Sequence, residues 1–148
     1  TAFENSIIKI HDYVVGNKRC SFSIGISNKK DVVSYDLRIY DDGSHSNERE
    51  KIFIYDIAML LTTAIDKFHP GLLVHDNIFD VDQDTLIKSL DFLIENESLL
   101  TSKQYILTLN SDKFHADELN RLKMNLDDYK VASFTKNKRF LKTHYQEL

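Results

Sequence analysis

Four aspartates follow a short apolar run in the middle of the chain, and their spacing makes them candidates for metal or phosphate chemistry. The run covers residues 72–74 and comes directly after Pro70 and Gly71, which are turn signals. A short apolar run between turn signals is typical of a buried strand, and open α/β sheets bind ligands outside the carboxyl ends of their strands. Asp76 is therefore the first candidate, and the alternative is a loop that only solvates its charges. The four residues are Asp76, Asp80, Asp82 and Asp84.

Oxygen ligands near the end of a strand are suited to Mg²⁺. One hypothesis is therefore a Mg²⁺-dependent nuclease or phosphotransfer domain, in which Asp76, Asp80 and Asp82 bind the metal. A calcium-binding loop is a weaker hypothesis, because Thr85 replaces the glycine that such a loop needs. The residues that follow Asp82 also have a helical pattern, so Asp82 is expected to cap a helix.

Composition excludes several classes of protein. The chain has 148 residues, of which 42% are apolar and 28% are charged, and this balance is typical of one globular domain. The net charge of −4 gives no overall basic surface for nucleic acid, and the single cysteine, Cys20, excludes an internal disulfide. The sequence contains neither a Gly-x-Ser-x-Gly elbow nor a phosphate-binding loop. No apolar run is long enough to span a membrane and no signal-peptide pattern is present, so we expect a cytoplasmic protein.

The N-terminal third predicts a helix followed by a β-hairpin. Residues 1–13 are compatible with the end of a helix, and residues 16–17 mark a turn. Apolar residues then alternate with polar ones over residues 20–26 and again over residues 33–39. Two half-buried strands across a short polar loop indicate an antiparallel hairpin.

The rest of the chain predicts a long helix, a βαβ unit and a second hairpin. Ser46 or Asn47 is expected to cap the helix, whose apolar stripe continues to Phe68. A strand at 72–74, a helix from 82 to about 97 and a strand at 105–109 should place both strands parallel, with Asp76 and Asn110 at the same edge. The remaining predictions are a short helix over 116–124 and a terminal hairpin, with strand 129–134, turn 135–138 and a second strand at 140–141. All 148 residues are expected to form a single domain.

This order of elements resembles the C-terminal half of an ABC-type ATPase head. More narrowly, three segments resemble an uncharacterised bacterial domain at the C-terminal end of SMC-like coiled-coil ATPases of the DNA-repair and anti-phage type. The segments are residues 51–61, 70–77 and 104–112. The resemblance implies an α/β, three-layer-like lobe, in which residues 1–13 end a coiled-coil helix and a parallel βαβ core lies between the two hairpins.

The resemblance also implies roles for individual residues around bound ATP and Mg²⁺. Asp76 would end the Walker B strand and help to hold Mg²⁺, and Asn110 would occupy the place of the switch histidine. The loop before the long helix would occupy the place of the signature motif and meet the nucleotide of the opposite head. In sequence order, the implied nucleotide-binding residues are Ser44, Ser46 and Asn47, the implied catalytic positions are Asp76, Asn77 and Asn110, and the implied dimer contacts are Asp80 and Asp82.

The chain departs from that pattern in ways that limit the chemistry. Asn77 stands where the catalytic glutamate is expected and cannot act as a general base. The signature loop lacks paired glycines, and the phosphate loop would lie in an N-terminal half that this sequence does not contain. We therefore expect no ATP hydrolysis by this chain alone, and slow hydrolysis when that half is joined.

The implied partners are the N-terminal half, a second head in a homodimer and DNA, with no membrane. Whether His75 or Asp80 supplies a hydrolytic base is left open by the sequence. A further hypothesis is a non-catalytic interaction module, whose contact surfaces would be the first hairpin and the basic turn at residues 136–139.

Overall fold

A computed structural model describes residues 1–28, 32–40, 46–79, 82–114, 116–135 and 137–138. Within them the chain is mixed α/β, with a two-stranded antiparallel sheet and a two-stranded parallel sheet. The elements in chain order are α1 (Ala2–Val15), β1 (Cys20–Ile26), β2 (Val33–Ile39), α2 (Ser46–Leu61), β3 (Leu72–Asp76), α3 (Gln83–Glu95), β4 (Gln104–Thr108), α4 (Ala116–Leu119) and α5 (Leu126–Tyr129).

The core is formed by one face each of α1, α2 and α3. Helix α1 packs against α2, α3 and β1, and Gly16 ends it in the left-handed conformation at φ 81°. Burial of these apolar side chains is the main stabilising contribution, at roughly 1.5–3 kcal/mol for each large one. The largest apolar side chains in this core are Ile7, Ile10, Phe53, Ile54, Ile57, Leu60, Leu86 and Phe92.

The predicted N-terminal hairpin is confirmed. Strands β1 and β2 pair antiparallel, with Cys20 opposite Ile39 and Ile26 opposite Val33. Only the end near Cys20 is buried against the helices, whereas Ile26 near the turn is 82% exposed. The hairpin therefore extends beyond the helices and leaves part of its apolar face in contact with solvent.

The predicted βαβ unit is also confirmed. Strands β3 and β4 are parallel and joined through α3, and Leu72 lies opposite Gln104. Asp82 is the N-cap of α3, because its carboxylate accepts hydrogen bonds from the Thr85 N–H at 3.0 Å and the Thr85 hydroxyl at 2.7 Å. Gly71, at φ 72°, makes the turn into β3 with a conformation that favours glycine.

Helix α2 differs from its prediction at both ends. It begins at Ser46 itself, so Ser46 and Asn47 are helical residues rather than caps. It ends at Leu61, before the predicted stripe is complete, and Phe68 is 87% exposed. The Thr62 hydroxyl donates to the Ala58 carbonyl at 2.7 Å and Lys103 Nζ donates to the Leu60 carbonyl at 2.5 Å, so these two carbonyls near the end of the helix have partners beyond it.

The C-terminal predictions are wrong in two respects. The short helix ends at Leu119 instead of residue 124, and Tyr129 ends helix α5 instead of beginning a strand. Residues 130–134 are not in a strand either. The predicted turn is present, because the Thr135 N–H donates to the Lys138 carbonyl at 2.9 Å and the Lys138 N–H donates back at 3.2 Å. The predicted second strand, at 140–141, lies outside the described residues.

Among the described residues, no helix is both long enough and apolar enough to cross a membrane.

Candidate functional site

Asp76 lies at the carboxyl end of β3, directly opposite Thr108 at the end of β4. The Thr108 hydroxyl donates a 2.5 Å hydrogen bond to Asp76 Oδ1 and accepts one from the Asn77 N–H at 3.0 Å. One carboxylate oxygen is thus held in place, and the side chain remains exposed to solvent. The edge of the parallel sheet therefore presents an oriented carboxylate, and carboxylate oxygens are common ligands of Mg²⁺.

The turn after Asp76 has a defined conformation. Asn77 is at φ 50°, the left-handed region that asparagine tolerates better than most residues. Arg49, in the first turn of α2, donates from Nη1 to the Asn77 carbonyl at 3.1 Å. A hydrogen bond therefore connects the N-terminal end of α2 directly to Asn77, the residue that follows Asp76.

Behind this edge, His75 connects three elements. It is 6% exposed; its Nδ1 lies 2.9 Å from the Tyr105 hydroxyl of β4 and its Nε2 lies 3.0 Å from Asp56 Oδ2 of α2. In a neutral imidazole one nitrogen donates and the other accepts, and an ionised carboxylate only accepts, so Nε2–H donates to Asp56 and Nδ1 accepts from the Tyr105 hydroxyl. Burial, and secondarily the charge of Asp56, raises the pKa of Tyr105 far above its usual range, which keeps that hydroxyl protonated. Side chains alternate between the faces of a strand, so His75 faces the helices while the neighbouring Asp76 does not.

Asp82 and Asp84, downstream of Asp76, have structural roles. Both oxygens of Asp82 are used in capping α3. Asp84 pairs with Lys88 at 2.8 Å and with Arg121 at 2.5 Å, and hydrogen bonds first from Lys88 and then from Arg121 lower its pKa. Among the described residues, no group of three or more histidine, cysteine, aspartate or glutamate side chains could hold a metal ion.

The other predicted site residues lie at several places in the fold. Asn110 is two residues beyond β4 and precedes a short 3₁₀ turn, which its side chain does not cap. Ser46 and Asn47 form the beginning of α2. Ser44 and Asp80 lie outside the described residues. Sequence reasoning missed Thr108, whose only signal was its place at the end of a predicted strand, and it missed Asp56 and Tyr105, which no local pattern connects to His75.

The parallel sheet has an uncovered face. Leu73, His75, Tyr105 and Leu107 face the helices, but Leu72, Val74 and Ile106 on the other face are 47%, 54% and 39% exposed. Parallel sheets occur almost only where both faces are covered, and their strands are apolar on both sides for that reason.

Comparison with known proteins gives a family but no activity. A family model described as "Uncharacterised protein conserved in bacteria (DUF2326)" matches residues 5–145. The chain is also similar to the uncharacterised protein YydD of Bacillus subtilis (strain 168), at 30% identity over 103 residues. That match covers 66% of this chain and 17% of the relative, so the chain corresponds to a small part of that protein.

Proposed function

The chain belongs to the DUF2326 family of bacterial proteins, and we propose that it is the C-terminal lobe of an SMC-like ABC ATPase head. In this proposal it completes a site for ATP and Mg²⁺ together with an N-terminal half that carries the phosphate loop. Two such heads then form a dimer with the nucleotide bound between them. The biological process in this proposal is DNA maintenance or defence.

The observation that carries the proposal is the position of Asp76. It ends a strand of a parallel pair, next to the turn at Asn77 and at the edge where α/β sheets bind their ligands. Thr108 orients one carboxylate oxygen, and the other, Oδ2, has no hydrogen-bond partner among the described residues. An oriented and exposed carboxylate fits Mg²⁺, either directly or through a bound water.

The uncovered sheet supports the need for a second half. A two-stranded parallel sheet with Leu72, Val74 and Ile106 exposed is incomplete by the usual rule for parallel sheets. Additional strands and a helical layer from the N-terminal half would cover that face. The small fraction of the Bacillus subtilis relative that this chain matches is consistent with a domain that works within a longer polypeptide.

The residues present favour binding over rapid hydrolysis. Asp76 would hold Mg²⁺, which would offset the negative charge of the nucleotide phosphates. Asn77 follows it where a general base would be needed, and an amide cannot take a proton from water. His75 is not available as that base either, because it is buried and both ring nitrogens have partners. Slow turnover and ATP-gated dimerisation are therefore the expected behaviour.

The test is to supply the half that carries the phosphate loop, joined to this chain or added separately, and to measure ATP binding by titration calorimetry. We expect no binding by this chain alone and Mg²⁺-dependent binding by the combination. Asp76→Ala should weaken Mg²⁺-ATP binding by about tenfold or more, equal to roughly 1.4 kcal/mol, because a charged ligand of the metal is lost.

The control variant is Glu97→Ala, which removes an exposed carboxylate in the turn after α3. It should leave ATP affinity unchanged. Equal affinity of the wild type and Asp76→Ala would refute the role of Asp76. Failure of the combined halves to bind ATP at all would refute the proposed function itself.

A further inference from the structure

A groove of about 420 Å³ lies between the hairpin and the N-terminal half of α2. Its aromatic and apolar walls include Phe22 and Tyr35 from the hairpin and Tyr55 from α2. Its charged lining consists of three carboxylates and one ammonium group, namely Asp36, Glu48, Asp56 and Lys51, so negative charge predominates. This groove is separate from the sheet edge that carries Asp76, and it has no part in the proposed ATPase function.

The aromatic side of the groove is held in place by ring contacts. The ring of Phe3, from α1, packs edge-on against Phe22 at 5.1 Å and against Tyr55 at 5.4 Å between ring centroids. Burial, followed by the negative charges of ionised Tyr35 and of Asp56, raises the pKa of Tyr55. That hydroxyl therefore stays protonated at neutral pH and can donate a hydrogen bond in the groove.

Among the described residues, Asp56 is the carboxylate of the groove that is not paired with a lysine or an arginine. Asp36 is paired with Arg38 at 2.6 Å and Glu48 with Lys51 at 3.1 Å. Asp56 is paired within the described residues only with His75, through Oδ2, and its side chain is 32% exposed. The second oxygen, Oδ1, is left to accept a hydrogen bond from a ligand, and His75 fixes its orientation.

We propose that this groove binds an arginine side chain of a partner protein. A guanidinium is planar, stacks on aromatic rings such as those of Tyr35 and Tyr55, and donates several hydrogen bonds to carboxylates. Asp56, which lines the groove, supplies the opposite charge, and Asp36 and Glu48 lie among its other lining residues. The ring of Tyr55, packed against Phe3 and Phe22, and the carboxylate held by His75 need little reorganisation on binding, which favours affinity.

The surface next to the groove indicates that the arginine belongs to a polypeptide. The apolar face of the hairpin continues from Tyr35 to Ile24, Ile26 and Val33, which are 58%, 82% and 44% exposed. A segment with apolar residues beside its arginine would cover these side chains while the guanidinium enters the groove. The partner chemistry is thus one basic residue flanked by apolar ones.

The first experiment uses NMR of the ¹⁵N-labelled chain titrated with N-acetyl-arginine amide, and with N-acetyl-citrulline amide as the uncharged analogue. We expect shifts of the backbone amides around residues 35–37 and 52–56 with the arginine compound, at roughly millimolar affinity, and no comparable shifts with citrulline. The peptide acetyl-Leu-Arg-Leu-amide should bind at least about fivefold more tightly, because its leucines cover apolar surface.

Substitutions test whether binding depends on the negative charge of Asp56 or only on its hydrogen bond with His75. Asp56→Asn keeps an acceptor for His75 but removes the charge, and it should weaken binding of the arginine peptide by about fivefold or more. Glu97→Gln removes the same charge outside the groove and should have no effect. Equal shifts with citrulline, or equal binding by Asp56→Asn, would overturn the proposal.

Sedimentation equilibrium provides a last check, because self-association that Asp56→Asn abolishes would mean that a second copy of this chain, not another protein, occupies the groove.

Discussion

The buried hydrogen bonds of His75 give a direct prediction for stability. Tyr105→Phe removes the hydroxyl that donates to His75 Nδ1 at 2.9 Å and leaves that nitrogen buried without a partner. A typical buried hydrogen bond contributes about 1 kcal/mol, and an unsatisfied buried acceptor costs about 1–3 kcal/mol. We therefore expect the variant to lose about 1.5–2.5 kcal/mol of unfolding free energy.

The assay is urea unfolding at pH 7, monitored by far-ultraviolet circular dichroism. The matched control is Tyr129→Phe, since Tyr129 is 49% exposed and should change stability by less than about 0.5 kcal/mol. A double-mutant cycle with His75→Phe should give a coupling energy of about 1 kcal/mol between the two residues. A Tyr105→Phe variant as stable as the wild type, or a coupling energy near zero, would refute the interpretation of this hydrogen bond.

The same residue gives a pH dependence. The folded chain has a raised pKa for Tyr105, whereas an unfolded tyrosine ionises near pH 10. The unfolded state therefore loses this proton first as the pH rises, and stability should decrease above about pH 10. Tyr105→Phe should show a shallower decrease there, and an identical slope in both proteins would contradict the assignment.

Three further predictions concern the surroundings of the parallel sheet, each measured by thermal or urea unfolding. Asp82→Ala should cost about 1 kcal/mol, because α3 loses its N-cap, whereas a loss below 0.3 kcal/mol would mean that the cap is dispensable. Gly71→Ala should cost about 1–2 kcal/mol, because alanine is strained at φ 72° even though its Cβ meets nothing closer than 3.5 Å, and an unchanged stability would contradict that conformation. Asp84→Asn should cost only about 0.5 kcal/mol, because the ion pairs with Lys88 and Arg121 are half-exposed and screened by solvent. Its lowered pKa makes that contribution present above about pH 4 and lost as the pH falls further, so the wild type and Asp84→Asn should converge in acid.

Local sequence patterns predicted the elements that are marked by their own periodicity or by flanking turn residues. The alternation over β1 and β2 gave the hairpin and its antiparallel pairing, and the apolar run before Asp76 gave β3. Asp82 was recognised as the N-cap of α3 because its side chain satisfies backbone groups only three residues away. Such features depend on neighbours in sequence, so sequence reasoning reaches them.

Features that depend on distant residues were missed. Helix α2 was predicted to continue because Ile65 and Phe68 keep the 3.6-residue period. Near its observed end, however, the Leu60 carbonyl accepts a hydrogen bond from Lys103, which is 43 residues further along the chain. A hydrophobic pattern carries no information about that lysine. The alternation over the hairpin likewise does not predict that the apolar side chains of its outer half are exposed, because that half extends past the helices.

The candidate site was predicted in outline rather than in its contacts. Asp76 was placed at the carboxyl edge of a parallel strand, where the structure has it. The residue that orients it is Thr108, because the register pairs the two directly, whereas Asn110 lies two residues further on. His75 was considered as a hydrolytic base, but strand alternation turns it toward Asp56 and Tyr105 instead. The register of β3, and the face on which each of its side chains lies, depend on its pairing with β4, where Thr108 is 32 residues from Asp76. A single sequence does not reveal that pairing.

The connection between β3 and β4 has a consequence for the order of folding. The hairpin joins strands that are neighbours in the chain, whereas Asp76 meets Thr108 across a separation that contains all of α3. Contacts between distant residues form later than local ones, because the loop entropy is lost before the contact compensates for it. We therefore expect the edge that carries Asp76 to assemble after α1, the hairpin and α3, and its amides to exchange with solvent before those of the helical core.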